Sequence, residues 1–365
     1  MKRFPFSAFV LVFAFAALHP VPAQDALSNI EARPSEPFPS SAAGRSWDDA
    51  SVFLVASGGL QLASVLESFG YSEAWFPPSF MGTLVLQHLP AIGFGTESAL
   101  SNAGLQLGLT SAWAANAYLL RDSTANALLF NAAHKYSMYA TYDAYARLRA
   151  SSPDADYAVG FAREGFWRLA AAPFDARVMG DWYLWGYLAT RAAIAAGMAL
   201  TTEAPNAVWK TGKAYIGRAE FPILAGAALV LLLQTGNFVM TGIGEEALYR
   251  GSYYAEMKYR FGEWPAKVAD AAYFTLSHYP QKWDSIAAAP LSDTALSFLA
   301  SAGTTFWLQY VYEWGGLRSA VAAHAWTDVI VFFADWLLRA GVPYDEGIGF
   351  SINSRLLELS LTLPL

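Results

Sequence analysis

Phe221-Pro222-Ile223-Leu224-Ala225-Gly226-Ala227-Ala228-Leu229-Val230-Leu231-Leu232-Leu233 opens the stretch that decides the fold. The run continues without a charge to Thr241 and then meets Gly244-Glu245-Glu246-Ala247-Leu248-Tyr249-Arg250-Gly251. About 20 apolar residues in a row are what a helix needs to cross the hydrocarbon of a bilayer, so 221–241 reads as a membrane span. Two adjacent carboxylates and an arginine at its end are costly there unless they are paired or used.

Working outward, the whole chain has the composition of a membrane protein. Of its 365 residues, 55% are hydrophobic and only 15% charged. Soluble domains average roughly 45–50% and 25%. Disorder is excluded by the same figures. With 23 Lys and Arg against 30 Asp and Glu, the formal charge is -7, which offers nucleic acid no basic field. There is no cysteine, so thiol nucleophiles, disulfides and cysteine-zinc sites are excluded, and chemistry falls to His, carboxylates, hydroxyls or Lys.

Long weakly polar runs separated by short charged punctuation place further spans near 52–69, 79–94, 104–120, 182–200, 266–278, 294–312 and 317–338. The expected fold class is therefore all-α, a polytopic helical membrane bundle of roughly eight spans. Residues 126–181 are richer in Arg, Asp, Tyr and Trp and read as a helical connector at a membrane face, its basic residues on the cytoplasmic side. At the N-terminus, Lys2-Arg3, the apolar run from Phe4 to Leu18 and the small-residue exit Val21-Pro22-Ala23 have the layout of a secretory signal peptide, 1–23. A Pro- and Ser-rich exported linker, 24–48, follows it. The tail, 341–365, alternates at Leu357, Leu359, Leu361, Leu363 and Leu365, without a functional reading.

Ionisable residues inside apolar runs carry the functional information. On a helix, Glu246 and Arg250 are one turn apart and can pair, while Glu245 points about 100° away, which leaves one carboxylate spare to act as a general base. Phe274-Thr275-Leu276-Ser277-His278 ends a second apolar segment in an imidazole. His324-Ala325-Trp326-Thr327-Asp328 puts a His and a carboxylate on one helical face, suited to a metal-ligand pair or to a His oriented by its neighbour. Of the five histidines, His88 and His134 lack such company and read as structural. No His-Glu-x2-His and no serine in a Gly-x-Ser-Gly setting occurs, and Tyr142-Asp143 and Gly180-Asp181 make only a weak aspartyl pair.

Glu-Glu-x3-Arg, Phe-x3-His and His-x3-Asp, in this order on successive apolar segments, resemble the motifs of the CPBP family, the CAAX-prenyl endopeptidases and bacteriocin-processing or immunity proteins. The resemblance covers roughly 221–338, within a core of 216–340. The region 49–215, membrane helices and connector, receives nothing from it. It implies a helical membrane bundle enclosing a polar cavity, and peptide-bond hydrolysis of a peptide or membrane-protein substrate in a lipid bilayer. It implies that Glu245 activates water, that His278 orients or protonates, that His324 and Asp328 stabilise the oxyanion, and that Glu246, Arg250 and Phe274 support them. A zinc on Glu245, His278, His324 and Asp328 is left open beside a metal-free reaction. Asp328 stands where the family more often has Asn, and the exported linker points away from a prenylated CAAX substrate toward the bacterial inner membrane. A non-catalytic scaffold or immunity-type binder with the same fold is the alternative.

Overall fold

A computed structural model describes residues 47–68, 78–120, 123–151, 163–201, 203–278 and 291–343. The expected signal peptide, nearly all of the linker and nearly all of the tail lie outside these residues. Among the described residues, helices joined by short loops make up most of the chain, with one small hairpin. Its helices are α1 (Asp49–Ser68), α2 (Pro78–Leu86), α3 (Leu89–Gly93), α4 (Ala99–Ala115), α5 (Ser123–Ala150), α6 (Phe166–Ala171), α7 (Trp182–Thr201), α8 (Val208–Thr211), α9 (Ile223–Leu248), α10 (Ala255–Phe261), α11 (Glu263–Ser277) and α12 (Leu291–Arg339). The hairpin, β1 (Ala214–Ile216) with β2 (Ala219–Phe221), pairs Ile216 with Ala219 and turns at Gly217, whose φ of 61° suits a two-residue loop. It was not expected in an all-α chain. Its Tyr215 N–H donates to the Ala340 carbonyl at 2.7 Å, tying the start of α9 to the end of α12.

Helices stand at all the segments read as spans, but length and apolarity qualify two runs among the described residues, Ile223–Phe261 and Ser301–Arg339. Only 28% of the most apolar window of the first is buried within the fold, so most of that surface faces outward, as a lipid-facing helix requires. The segments 294–312 and 317–338 form one helical run broken at Gly316, where φ is 73°, a value glycine adopts without strain.

Helix α9 is the hub, and small residues let its neighbours close on it. A Cβ at Gly242 would lie 2.9 Å from the Val321 carbonyl oxygen on α12, and one at Gly251 would lie 2.8 Å from the Tyr142 ring on α5. Asn131 on α5 donates to the Asn237 carbonyl at 3.0 Å and to its side-chain oxygen at 2.9 Å, a buried polar tie between the two helices. The first half of the expected connector is thus a 28-residue helix, buried along most of its length against α9.

Candidate active site

Glu245 and Glu246 occupy the last turn of α9, and both are buried. The helix then widens into a π turn over Tyr249–Tyr254, a distortion frequent at functional sites. Arg250 in that turn reaches back to Glu246 Oε1 at 3.0 Å, as the one-turn spacing predicts. Both side chains are fully buried. Arg250 also stands 3.6 Å from the Asp270 carboxylate of α11, which in turn accepts from Gln309 at 2.8 Å. Its guanidinium lies over the Phe274 ring at 4.4 Å, and the other edge of the site is set by Phe274 against the His278 imidazole, centroids 4.5 Å apart. Phe274 is therefore a wall that holds cation and imidazole in place.

His278 caps the end of α11 and His324 projects from the second half of α12. Their outward-facing nitrogens are committed. His278 Nδ1 is 2.7 Å from the Phe274 carbonyl oxygen and His324 Nδ1 is 2.6 Å from Glu246 Oε1. A carbonyl or carboxylate oxygen accepts, so both Nδ1 atoms donate and both Nε2 atoms are turned into the site. Both Nε2 atoms face the same atom, Glu245 Oε2, each at 3.6 Å. That separation is too long for a direct hydrogen bond and suits one small polar group between them. Asp328 Oδ2 lies 3.5 Å from His324 Nε2. His324 thus lies between two carboxylates, Asp328 on Nε2 as the one-turn spacing suggested and Glu246 on Nδ1, which the spacing did not show. Access is one-sided, because the side chains of His278 and Asp328 are 29% and 30% exposed while those of Glu245 and Glu246 are 6% and 0%.

The expected residues therefore converge, and one the sequence reading missed joins them. Lys135 of α5 donates to Glu245 Oε1 at 2.6 Å. Glu245 is not a spare carboxylate but half of a buried ion pair. The neglected signal is that Lys135 is the sole charge between Asp122 and Asp143, alone in an apolar helix, the situation in which an ionisable residue calls for a partner. His134 beside it packs against the Phe80 and Phe130 rings, centroids 6.0 Å and 5.5 Å away, in keeping with its structural reading.

The open zinc alternative fits these residues poorly. Among the described residues no group of three or more His, Asp or Glu is arranged to hold a metal ion. The Lys135 ammonium already neutralises the carboxylate such a cation would need. No step is assigned to a metal.

Against known proteins, residues 227–330 match the family model of the Rce1-like type II CAAX prenyl endopeptidases. The match takes in Glu245, Glu246, Arg250, Phe274, His278, His324 and Asp328, and leaves Lys135 outside it. No curated protein and no solved structure matches the chain.

Proposed function

With an Rce1-like domain at its core, a domain of a membrane-embedded protease family, we propose that this chain is an intramembrane endopeptidase that hydrolyses a peptide bond with water activated by Glu245. The observation that carries the reading is the convergence of His278 Nε2 and His324 Nε2 on Glu245 Oε2 at 3.6 Å, in a site open only past His278 and Asp328. A water held there gives a proton to Glu245 as its oxygen attacks the scissile carbonyl carbon. Glu245 passes that proton to His278 Nε2, and His278, at the open edge, delivers it to the amide nitrogen as the C–N bond breaks, so water is divided between the new carboxyl and the new amine. His324, taken as the imidazolium between Glu246 and Asp328, donates its Nε2–H to the developing oxyanion, and Asp328 acts through the His324 ring. Burial of the carboxylates excludes bulk water, which strengthens each of these interactions.

The substrate is a peptide or membrane-protein segment entering from the bilayer, and the setting is a bacterial inner membrane crossed by roughly eight helices. A second reading, a non-catalytic scaffold or immunity-type binder, is favoured by one observation, the 2.6 Å Lys135–Glu245 pair, which occupies one oxygen of the base. The two readings part on a direct assay. Full-length protein in detergent is incubated with a fluorescence-quenched peptide library, wild type beside Glu245→Gln. Cleavage by wild type alone is the peptidase result, and equal signal from both, or none from either, is the scaffold result.

A further inference from the structure

Helix α5 runs parallel to α9, with Asn131 facing Asn237 and Thr241, Lys135 facing Glu245, and Tyr142 facing Gly251. The closest approach falls at Gly244, next to the base. A Cβ there would lie 2.6 Å from the Lys135 carbonyl oxygen, 2.7 Å from its Cβ and 2.8 Å from its Cα, contacts that side chains essentially never make. Only glycine lets the α5 backbone come near enough for Lys135 to meet the carboxylate of the following residue. The ammonium takes Oε1 of Glu245, and the planar carboxylate then has its other oxygen directed at the two Nε2 atoms.

We infer that Lys135 is a positioning residue for the Glu245 base, delivered to it by the helix contact at Gly244, so that the reaction depends on a helix outside the residues that match the family model. This rests on the peptidase reading above. Lys135 also balances charge, because Glu245, Glu246, Asp270 and Asp328 surround the site with Arg250 as the only other fixed cation among the groups named here. A group that orients the base without touching substrate affects kcat and leaves KM in place.

The test uses full-length protein and the same quenched peptide library, with kcat, KM and thermal stability measured for Lys135→Met, Lys135→Arg, Gly244→Ala and Glu245→Gln. A misplaced catalytic group loses about 100-fold. Lys135→Met should therefore lose about 100-fold in kcat with KM within about twofold of wild type, and Lys135→Arg should recover at least about tenfold of that loss. Gly244→Ala leaves Lys135 and Glu245 chemically intact but parts them, and should also lower kcat at constant KM. Folded Lys135→Met with wild-type kcat, or a loss confined to KM or to stability, overturns the inference. If Lys135→Met does not fold, folded Gly244→Ala with wild-type kcat overturns it. Failure of the peptidase reading is separate and shows as cleavage by Glu245→Gln at the wild-type rate, or as no cleavage by wild type, in which case both fall.

Discussion

Two buried charge clusters sit on the same long helical run, Ile223–Phe261, and are built on opposite plans. At its far end, Glu256 accepts from Arg260 at 2.6 Å, from Tyr145 at 2.9 Å, from Ser51 at 2.5 Å and also from Arg149, which reaches Asp48 at 2.5 Å. Two carboxylates meet two guanidiniums there. Eleven residues earlier, Glu245, Glu246, Asp270 and Asp328 meet only Lys135 and Arg250, with two imidazoles between them. The first cluster saturates its charges and locks α1, α5 and α10 together. The second leaves an excess of acceptors converging on a half-open gap. Burial alone therefore does not mark function. What sets the second cluster apart is charge left unmatched beside an opening lined by His278 and Asp328.

The comparison can be broken or sharpened by substitution. The largest effect is expected from Glu245→Gln, which should lower peptide cleavage by about 10²–10⁴-fold, the usual share of a general base. Its thermal stability should stay closer to wild type than that of Glu256→Gln, because the site holds more carboxylates than cations and the amide oxygen still accepts from Lys135. Arg250→Ala comes next, stranding Glu246 at 0% exposure and costing about 3–5 kcal/mol, read as a fall in denaturation midpoint with activity lost as well. Glu256→Gln should show the converse pattern, a loss of about 1–3 kcal/mol as the hydrogen bonds to charged partners weaken. Cleavage per folded molecule should be unchanged. The smallest effect is expected from Asp328→Asn. Its carboxylate is 30% exposed and acts through His324 at 3.5 Å, so kcat should stay within about tenfold of wild type. Complete loss in that variant would restore a direct role for the carboxylate.

How much of this was legible beforehand follows the physics of each signal. The apolar run 221–241 and the one-turn spacings Glu246–Arg250 and His324–Asp328 are local patterns, and the helices carry them as expected. Gly316 breaks the last run between the two segments inferred for it, because a positive-φ glycine also writes itself locally. The His324–Glu246 bond crosses 78 residues and the Lys135–Glu245 pair crosses 110, and neither leaves a periodic trace. Both depend on helix approach distances set by Gly242 and Gly244, which become visible only when the helices are side by side. The hairpin at 214–221 was missed because three-residue strands are too short for a period of two to stand out.

The most direct measurement is a paired one, cleavage and thermal stability of full-length Glu245→Gln and Glu256→Gln beside wild type. Both replace a buried carboxylate by its isosteric amide on the same helical run. The account expects the first to be folded and inactive, and the second to be destabilised but active per folded molecule. Cleavage by Glu245→Gln at the wild-type rate would contradict it.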